Sequence, residues 1–341
     1  MNPGKILIIQ TAFLGDVILT TPLIKAVARK YPQSKIIFLL IPQTRKLLQN
    51  NPHLEEIIVY DKKGKEKGVF GFLKLVKAVK STEFDLALIP HRSFRSALLA
   101  YLAGIPQRIG FDKSSGAFLF TQRTKYVQSQ PEVKRNLSLL GKDMLSASES
   151  LPELLPSEDD FKYLEELFKN WDVKREDKIV GIAPGSAWNT KRWLPERFGQ
   201  VADNLIEKLG TKIIFIGGKE DEKLCLEISK NMRFKPFIAA GKTSPLQSAA
   251  LISRCKAILT NDTAPMHIAV AMKIQVVAIF GSTIPEFGFA PTGKNDLVIQ
   301  KEIYCRPCGI HGRKKCPEKH FRCIKDITAK EVFEAVSQKL M

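Results

Sequence analysis

The chain has 341 residues, 44% hydrophobic and 26% charged, the make-up of a globular protein long enough for two domains with buried cores. A net charge of +18 suits an anionic partner such as nucleic acid, acidic lipid or a phosphorylated substrate, or simply keeps the surface solvated. No run approaches the ~18 apolar residues of a membrane span, and Gln10 and Asp16 cut the opening apolar run, so neither a membrane-spanning protein nor a secretory leader is expected and the address is cytoplasmic.

In chain order, "KILIIQ" reads as a buried strand. "TAFLGDVILTTP" follows it, with Gly15 allowing a close turn and Asp16, the only carboxylate of the first fifty residues, at a helix start. A plain helix cap explains such an Asp equally well. No GxGxxG occurs at this turn, which argues against a dinucleotide oxidoreductase. "TTPLIKAVARKYP" is a helix with Pro22 near its start. "SKIIFLLI", "LEEIIVYD" and "FDLALIPH" are further strands, and "GFLKLVKAVKS" and "RSALLAYLAGI" are helices. "SASESLPELLPSEDD", with Pro152 and Pro156, lacks periodicity and reads as an inter-domain connection.

The alternation then restarts. "KIVGIAPGS" and "TKIIFIGG" are strands, "LPERFGQVADNLIEKLG" a helix closed by Gly210, and "EDEKLCLEISKNM" another helix. "CKAILTND" leads into "TAPMHIAVAMK", "IQVVAIFGS" is a strand, and "ITAKEVFEAVSQKL" is a final helix capped by Thr328. Two βα arrays predict an α/β protein of two doubly wound domains, 1–157 and 158–326, with a terminal helix over 327–341. Ligands are expected at the strands' carboxyl ends, between the domains.

Four stretches carry chemistry. "APGSAWNTKRWLPERF" offers the hydroxyls of Ser186 and Thr190 beside Lys191 and Arg192, suited to a phosphate; a surface loop with packed Trp188 and Trp193 is the equal alternative. "LTNDTAPMHIAVAM" sets Asn261, Asp262 and Thr263 at a helix start, an anion-binding arrangement, with His267 in the first turns. "GGKEDE" carries Glu220, a carboxylate able to accept from ribose hydroxyls. "CRPCGIHGRKKCPEKHFRC" crowds Cys305, Cys308, Cys316 and Cys323 together with His311 and His320. Such spacing can hold zinc or an iron–sulfur cluster, or form disulfides, and the sequence leaves these open. The segment is expected to shape the connection into the last helix. Cys225 and Cys255 read as buried thiols.

Together, "ILIIQTAFLGDVILTTP", "RSALLAYLAGIPQRIGF", "PGSAWNTKRWLPERF", "TNDTAPMHIAVA" and the cysteine segment resemble the ADP-heptose:lipopolysaccharide heptosyltransferases, the cysteines being most like the heptosyltransferase II branch. The resemblance implies a GT-B fold, with two Rossmann-like domains facing an inter-domain cleft. The N-terminal one would bind the acceptor and the C-terminal one, with segment 305–323, the nucleotide sugar, the last helix crossing back to the first domain. It implies inverting transfer with no cofactor and no required metal. Carried over by motif, Asp16 is the catalytic base. Ser186, Lys191, Glu220, Asp262, Thr263 and His267 bind the ADP-heptose donor, and Ala264 stands where the family pattern has glycine. Residues 1–157 hold 23 Lys and Arg against 12 Asp and Glu. Lys62, Lys65, Arg92, Arg95 and Arg108 are candidates to grip an anionic lipid A–Kdo inner-core acceptor, with peripheral contact to the cytoplasmic face of the inner membrane. Other readings are a GT-B transferase using another nucleotide sugar, and a basic nucleic-acid-binding protein. The chain has no recognition-helix or aromatic RNA-binding signature, so no nucleic-acid partner is expected.

Overall fold

The computed structural model describes residues 2–141 and 151–340. The chain divides into two compact units, Met1–Leu155 and Pro156–Met341. Residues 146–150 of the expected connection lie outside the described residues. The division falls before Ser157 because that residue caps the second unit's first helix: its Oγ accepts the Asp160 N–H at 3.3 Å, and Asp160 Oδ2 accepts the Ser157 N–H at 2.9 Å.

The first unit runs β1 (Lys5–Ile9), α1 (Leu14–Ile18), α2 (Thr21–Lys30), β2 (Lys35–Leu40), α3 (Arg45–Leu48), β3 (Glu56–Val59), α4 (Gly68–Ser81), β4 (Leu86–Ile89), α5 (Phe94–Leu102), β5 (Gln107–Phe111), β6 (Gln122–Thr124) and α6 (Glu132–Ser138). Its strands are all parallel, in the order β3-β2-β1-β4-β5-β6. β1 and β4 are apolar at nearly every position because both faces of a central parallel strand are covered. β5 and β6 lie toward the edge and have half-exposed residues such as Arg108 and Thr124, so the apolar pattern that reveals central strands is missing from them.

The second unit runs α7 (Glu158–Asn170), β7 (Ile179–Ala183), α8 (Pro195–Leu209), β8 (Lys212–Phe215), α9 (Glu222–Lys230), β9 (Phe237–Ile238), α10 (Pro245–Ser253), β10 (Ala257–Asn261), α11 (Ala264–Ala271), β11 (Gln275–Phe280), β12 (Leu297–Gln300), α12 (Arg322–Lys325) and α13 (Ala329–Gln338). Its strands are again parallel, in the order β12-β11-β10-β7-β8-β9. Gly210 ends α8 in the left-handed conformation that glycine adopts without strain. The terminal α13 packs on α8, and Val332, Ala335 and Val336 enter this unit's core beside Phe198, Val201 and Leu205. Among the described residues, no helix is long and apolar enough to cross a membrane.

Both sheets share one topological feature. The chain builds β1, β2 and β3 to one side, then returns to lay β4 on the other side of β1; β7, β8, β9 and β10 repeat the move. The loops leaving β1 and β4, or β7 and β10, therefore diverge and open a crevice at the carboxyl ends.

β7 is packed without slack where it crosses the second core. A Cβ built on Gly181 would stand 2.4 Å from Ile258 Cδ1 and 2.8 Å from Ile216 Cδ1. Gly181→Val should therefore lower stability by ~1–3 kcal/mol through overpacking. A denaturant midpoint equal to wild type would show that the core gives way at no cost.

Candidate functional site

Each unit gathers polar side chains at its switch point. In the first, β1 delivers Thr11 and, through α1, Asp16; β4 delivers His91, Arg92 and Arg95. Asp16 is half-buried and sits in the first turn of α1, where its Oδ2 accepts the Phe13 N–H at 3.1 Å. The carboxyl is pushed up from 3.8 to about 6, chiefly by burial and then by the nearby Glu132 carboxylate, against the pull of the Phe13 amide and Arg92. So the helix-cap reading and the functional one coexist in one side chain: Asp16 caps α1, yet holds its proton up to near-neutral pH.

Arg92 is the cation whose charge acts on this carboxylate, and further basic residues lie in the same unit. Arg92 lies 4.2 Å over the Tyr126 ring, and Arg135 lies 4.8 Å from the same ring. Arg135 is buried and donates from Nε to Glu132 Oε2 at 2.6 Å and from Nη1 to the Gln128 carbonyl at 2.7 Å. Lys62 donates to the Thr11 carbonyl at 2.7 Å, and burial, then Lys63 and Arg95, lower its pKa. Arg95 donates to Tyr60 Oη at 3.2 Å. Lys65 is exposed on the same loop as Lys62, its amide donating to Asp61 Oδ2 at 3.0 Å.

Arg108 does not join this group. It pairs with Ala87 near the start of β4, at the opposite end of the strands. Its Nε donates to the Leu119 carbonyl at 2.8 Å and its Nη1 to the Ile105 carbonyl, so its guanidinium braces β5. A basic residue in a polar strand gave no sign of which strand end it would occupy.

His91 belongs to the site, and the sequence reading passed over it. Its Nδ1 stands 3.0 Å from Thr11 Oγ1 and 3.1 Å from Ser96 Oγ. Burial, then Lys62 and Arg92, push its pKa down to about 4, so it is a neutral ring at physiological pH. Its position directly after a buried apolar strand was the available signal.

In the second unit, Lys191 follows β7 and Asp262 follows β10. Lys191 Nζ stands 2.6 Å from Asp262 Oδ2, with only 13% and 7% of the two side chains exposed. Thr283 donates to the same oxygen at 2.7 Å. Asn261 joins the two loops: its Oδ1 accepts the Trp193 N–H at 3.0 Å and its Nδ2 donates to the Pro184 carbonyl at 2.8 Å. Of the two tryptophans, Trp193 is core, edge-on to Phe198 with Nε1 donating to the Ile327 carbonyl at 3.1 Å. Trp188 is half-buried in the loop, where its N–H donates to Ser186 Oγ at 3.2 Å.

Thr263 caps α11, and Ala264 is that helix's first residue, where a Cβ is carried without strain. His267 is buried on α11 and pushed down to about 4 by burial, against the pull of Asp262, so it too is neutral. Glu220 is exposed on the turn after β8. The adjacent Asp221 lies so close to Gly185 that a Cβ there would stand 2.0 Å from Asp221 Oδ1, which sets the Glu220 turn against the Ser186 loop.

The cysteine segment reaches this group. Thr190 and Arg313 are joined by three bonds: the Thr190 N–H and Oγ1 donate to the Arg313 carbonyl at 3.1 and 3.0 Å, and the Arg313 N–H donates to Thr190 Oγ1 at 2.7 Å. The Cys308 N–H donates to the Ser282 carbonyl at 3.0 Å, and Arg306 Nη2 to the Thr283 carbonyl at 2.6 Å. A Cβ on Gly312 would stand 3.2 Å from Lys191 Cγ. The segment thus backs the Lys191 turn as well as leading into α12.

Its cysteines are not in disulfides. Among the described residues, no three Cys, His, Asp or Glu side chains form a group that could hold a metal ion, although Cys305 and Cys316 lie near enough to add to burial in raising the pKa of Cys308, and all three do so for Cys323. Cys305 Sγ pairs with His320 Nε2 at 3.7 Å, and Cys308 Sγ donates to the Cys305 carbonyl at 3.5 Å. Cys323 is turned into the second core, and burial pushes its thiol up to about 11.

Asp16 makes a measurable demand on stability. A carboxyl whose folded pKa is raised favours folding while protonated, and this contribution is lost as pH rises from about 4 through about 6. Asp16→Asn, which keeps an acceptor for the Phe13 amide, should match wild type near pH 4 and melt above it beyond pH 6. The gap should be about 2–4 °C for each kcal/mol recovered. Parallel melting curves across that range would mean that Asp16 titrates as an ordinary exposed carboxylate.

A model of glycosyltransferase family 9 (heptosyltransferase) matches residues 72–321. Lipopolysaccharide heptosyltransferase 2 of Escherichia coli K12 is 27% identical to this chain over 353 aligned positions, covering 99% of each. Among solved structures, a glycosyl transferase family 9 protein from Veillonella parvula superposes with a TM-score of 0.87 at 25% identity, over 99% of this chain and 97% of that one. The ADP-heptose lps heptosyltransferase II of E. coli gives 0.79 at 27% identity over 98% of each chain. Two Rossmann-like units with switch-point sites are what a GT-B glycosyltransferase requires, and with the family match running through both units the chain belongs to glycosyltransferase family 9, the heptosyltransferases.

Proposed function

We propose that this glycosyltransferase moves heptose from ADP-heptose to the inner core of a lipopolysaccharide acceptor, with inversion at the anomeric carbon and Asp16 as general base. The observation that carries the reading is the Asp16 carboxyl, poised at about 6 at a strand switch point with the Arg92 charge acting on it. An acceptor hydroxyl attacks the anomeric carbon on the face opposite the leaving group. Its proton passes to Asp16 as the new C–O bond forms, and the bond from the anomeric carbon to the phosphate oxygen breaks. One base and one direct displacement give inversion.

ADP departs with the bonding electron pair, so the donor unit must meet a growing negative charge. Lys191 is the cation for that task, with the start of α11 beside it. In this reading Ser186, Thr263 and the neutral His267 supply hydrogen bonds to the diphosphate, Asp262 holds Lys191 in place, and Glu220 accepts from the ribose hydroxyls. Lys62, Lys65, Arg92 and Arg95 take the acceptor's phosphates and acidic sugars, while Arg108 is left to β5. A lipid-borne acceptor also places the enzyme's work at the cytoplasmic face of the inner membrane.

Two substitutions separate base from clamp. Asp16→Asn should lower kcat by ~10²–10⁴-fold with ADP affinity unchanged, whereas Lys191→Ala should weaken ADP binding ~10-fold or more and also slow transfer. In wild type, kcat/KM should climb between pH 5 and 7 with a midpoint near 6. An Asp16→Asn enzyme with most of its turnover would remove the base from this scheme.

With Lys191 and helix amides meeting the diphosphate, transfer should continue in excess EDTA. Activity that EDTA abolishes and Mg²⁺ restores would replace this clamp with a metal-bridged one.

A further inference from the structure

The helix after β3, α4, carries a surface that the transfer scheme leaves unused. α4 turns Phe72, Leu75, Val76 and Val79 into the first unit's core. Its opposite side is also apolar at the start: Phe70 is 88% exposed, Val69 70% and Leu73 49%. Leu73, three residues from Phe70 and four from Val69, neighbours both on the helix surface and joins them. An isolated exposed Phe means little, but three contiguous large apolar residues on the first turns of one helix form a patch.

The patch is set in positive charge. Residues 61–81 hold seven lysines and two acids. Lys63, Lys65 and Lys67 are exposed on the loop before the patch, and Lys74 and Lys77 continue its stripe along the helix. Both acids are engaged locally. Asp61 accepts the Gly64 N–H at 2.9 Å and the Lys65 N–H at 3.0 Å, and Glu66 accepts the Asp61 N–H at 2.7 Å. Apolar side chains with a lysine surround fit the boundary between lipid headgroups and acyl chains, where lysines meet anionic headgroups and aromatic or aliphatic side chains enter below them.

We propose that residues 63–77, through Val69, Phe70 and Leu73 with Lys63, Lys67, Lys74 and Lys77, dock the protein on an anionic lipid bilayer. The placement deepens the acceptor reading, on which its functional value rests. Lys62, which holds the Thr11 carbonyl beside the Asp16 site, is seven residues from Val69, so the two lie no more than ~25 Å apart even along a fully extended chain. A lipid-anchored acceptor could thus keep its acyl chains in the bilayer while its sugars reach Asp16.

The test uses the full chain and vesicles of phosphatidylethanolamine with phosphatidylglycerol, set against pure phosphatidylcholine. Wild type should co-sediment with the anionic vesicles and be released by salt. Val69→Ser/Phe70→Ser should weaken this partitioning at least tenfold with an unchanged melting temperature, and Lys74→Glu/Lys77→Glu should remove most of its salt-sensitive part. Equal partitioning of wild type and the Ser variant would overturn the proposal. So would absence of vesicle binding together with self-association that the Ser variant abolishes, since a second copy of the chain would then cover the patch. Transfer assays separate this result from the catalytic reading. On a deacylated, soluble acceptor the Ser variant should match wild type, and on vesicle-borne acceptor its KM should rise. Vesicle binding that is lost in the Ser variant, with no transfer by wild type to either acceptor, would support the docking surface and overturn the heptosyl-transfer reading.

Discussion

The switch-point site of the second unit depends on one buried ion pair. Lys191 and Asp262 meet at 2.6 Å with little of either side chain in water. Taking two charges out of solvent costs several kcal/mol per ion unless geometry and further hydrogen bonds repay it. The repayment here is visible: Thr283 donates to the same carboxylate oxygen, and the Lys191 ammonium also reaches the Asp262 carbonyl at 3.3 Å. Neither residue can hold its place alone. Asn261 ties their two loops together, so the pair is an extension of the β7–β10 contact at the centre of the sheet.

The same constraint explains the cysteine segment. A lysine on a short turn needs support on the side away from its partner, and the Thr190–Arg313 and Ser282–Cys308 bonds supply it. Gly312 approaches the stem of Lys191 in a left-handed conformation, at φ +82°, where a larger residue would press on the lysine. The basic character of this stretch also adds positive charge beside the Lys191 turn.

The first unit solves a different problem, keeping a carboxylate available for a proton. Partial burial and Glu132 raise its proton affinity, while Arg92 and the Phe13 amide limit the rise. Glu132 itself is paired with the buried Arg135, whose Nε donates to it at 2.6 Å. His91, kept neutral by burial and then by Lys62 and Arg92, adds polarity to the site without adding charge.

Much of this was legible in the residues. The apolar runs "KILIIQ", "FDLALIPH", "KIVGIAPGS" and "CKAILTND" identified the central strands, because a parallel strand buried on both faces has no choice but to be apolar. Motifs that directly follow such strands, at Asp16, Lys191 and Asp262, were found for the same reason. The edge strands β6 and β9, and β5 next to the edge, left no such trace, being short or half-exposed, and so nothing in the sequence showed that Arg108 lies at the far end of its sheet. Spacing marked four cysteines as a group, but the direction of each thiol in a long irregular loop is decided only by the tertiary structure, which turns Cys323 into the core and sets Gly312 against Lys191. What the sequence determined was the order of strands and the residue types at their ends. Which of those ends stand side by side was decided by the return of each chain across its first strand, a crossing that no local pattern records.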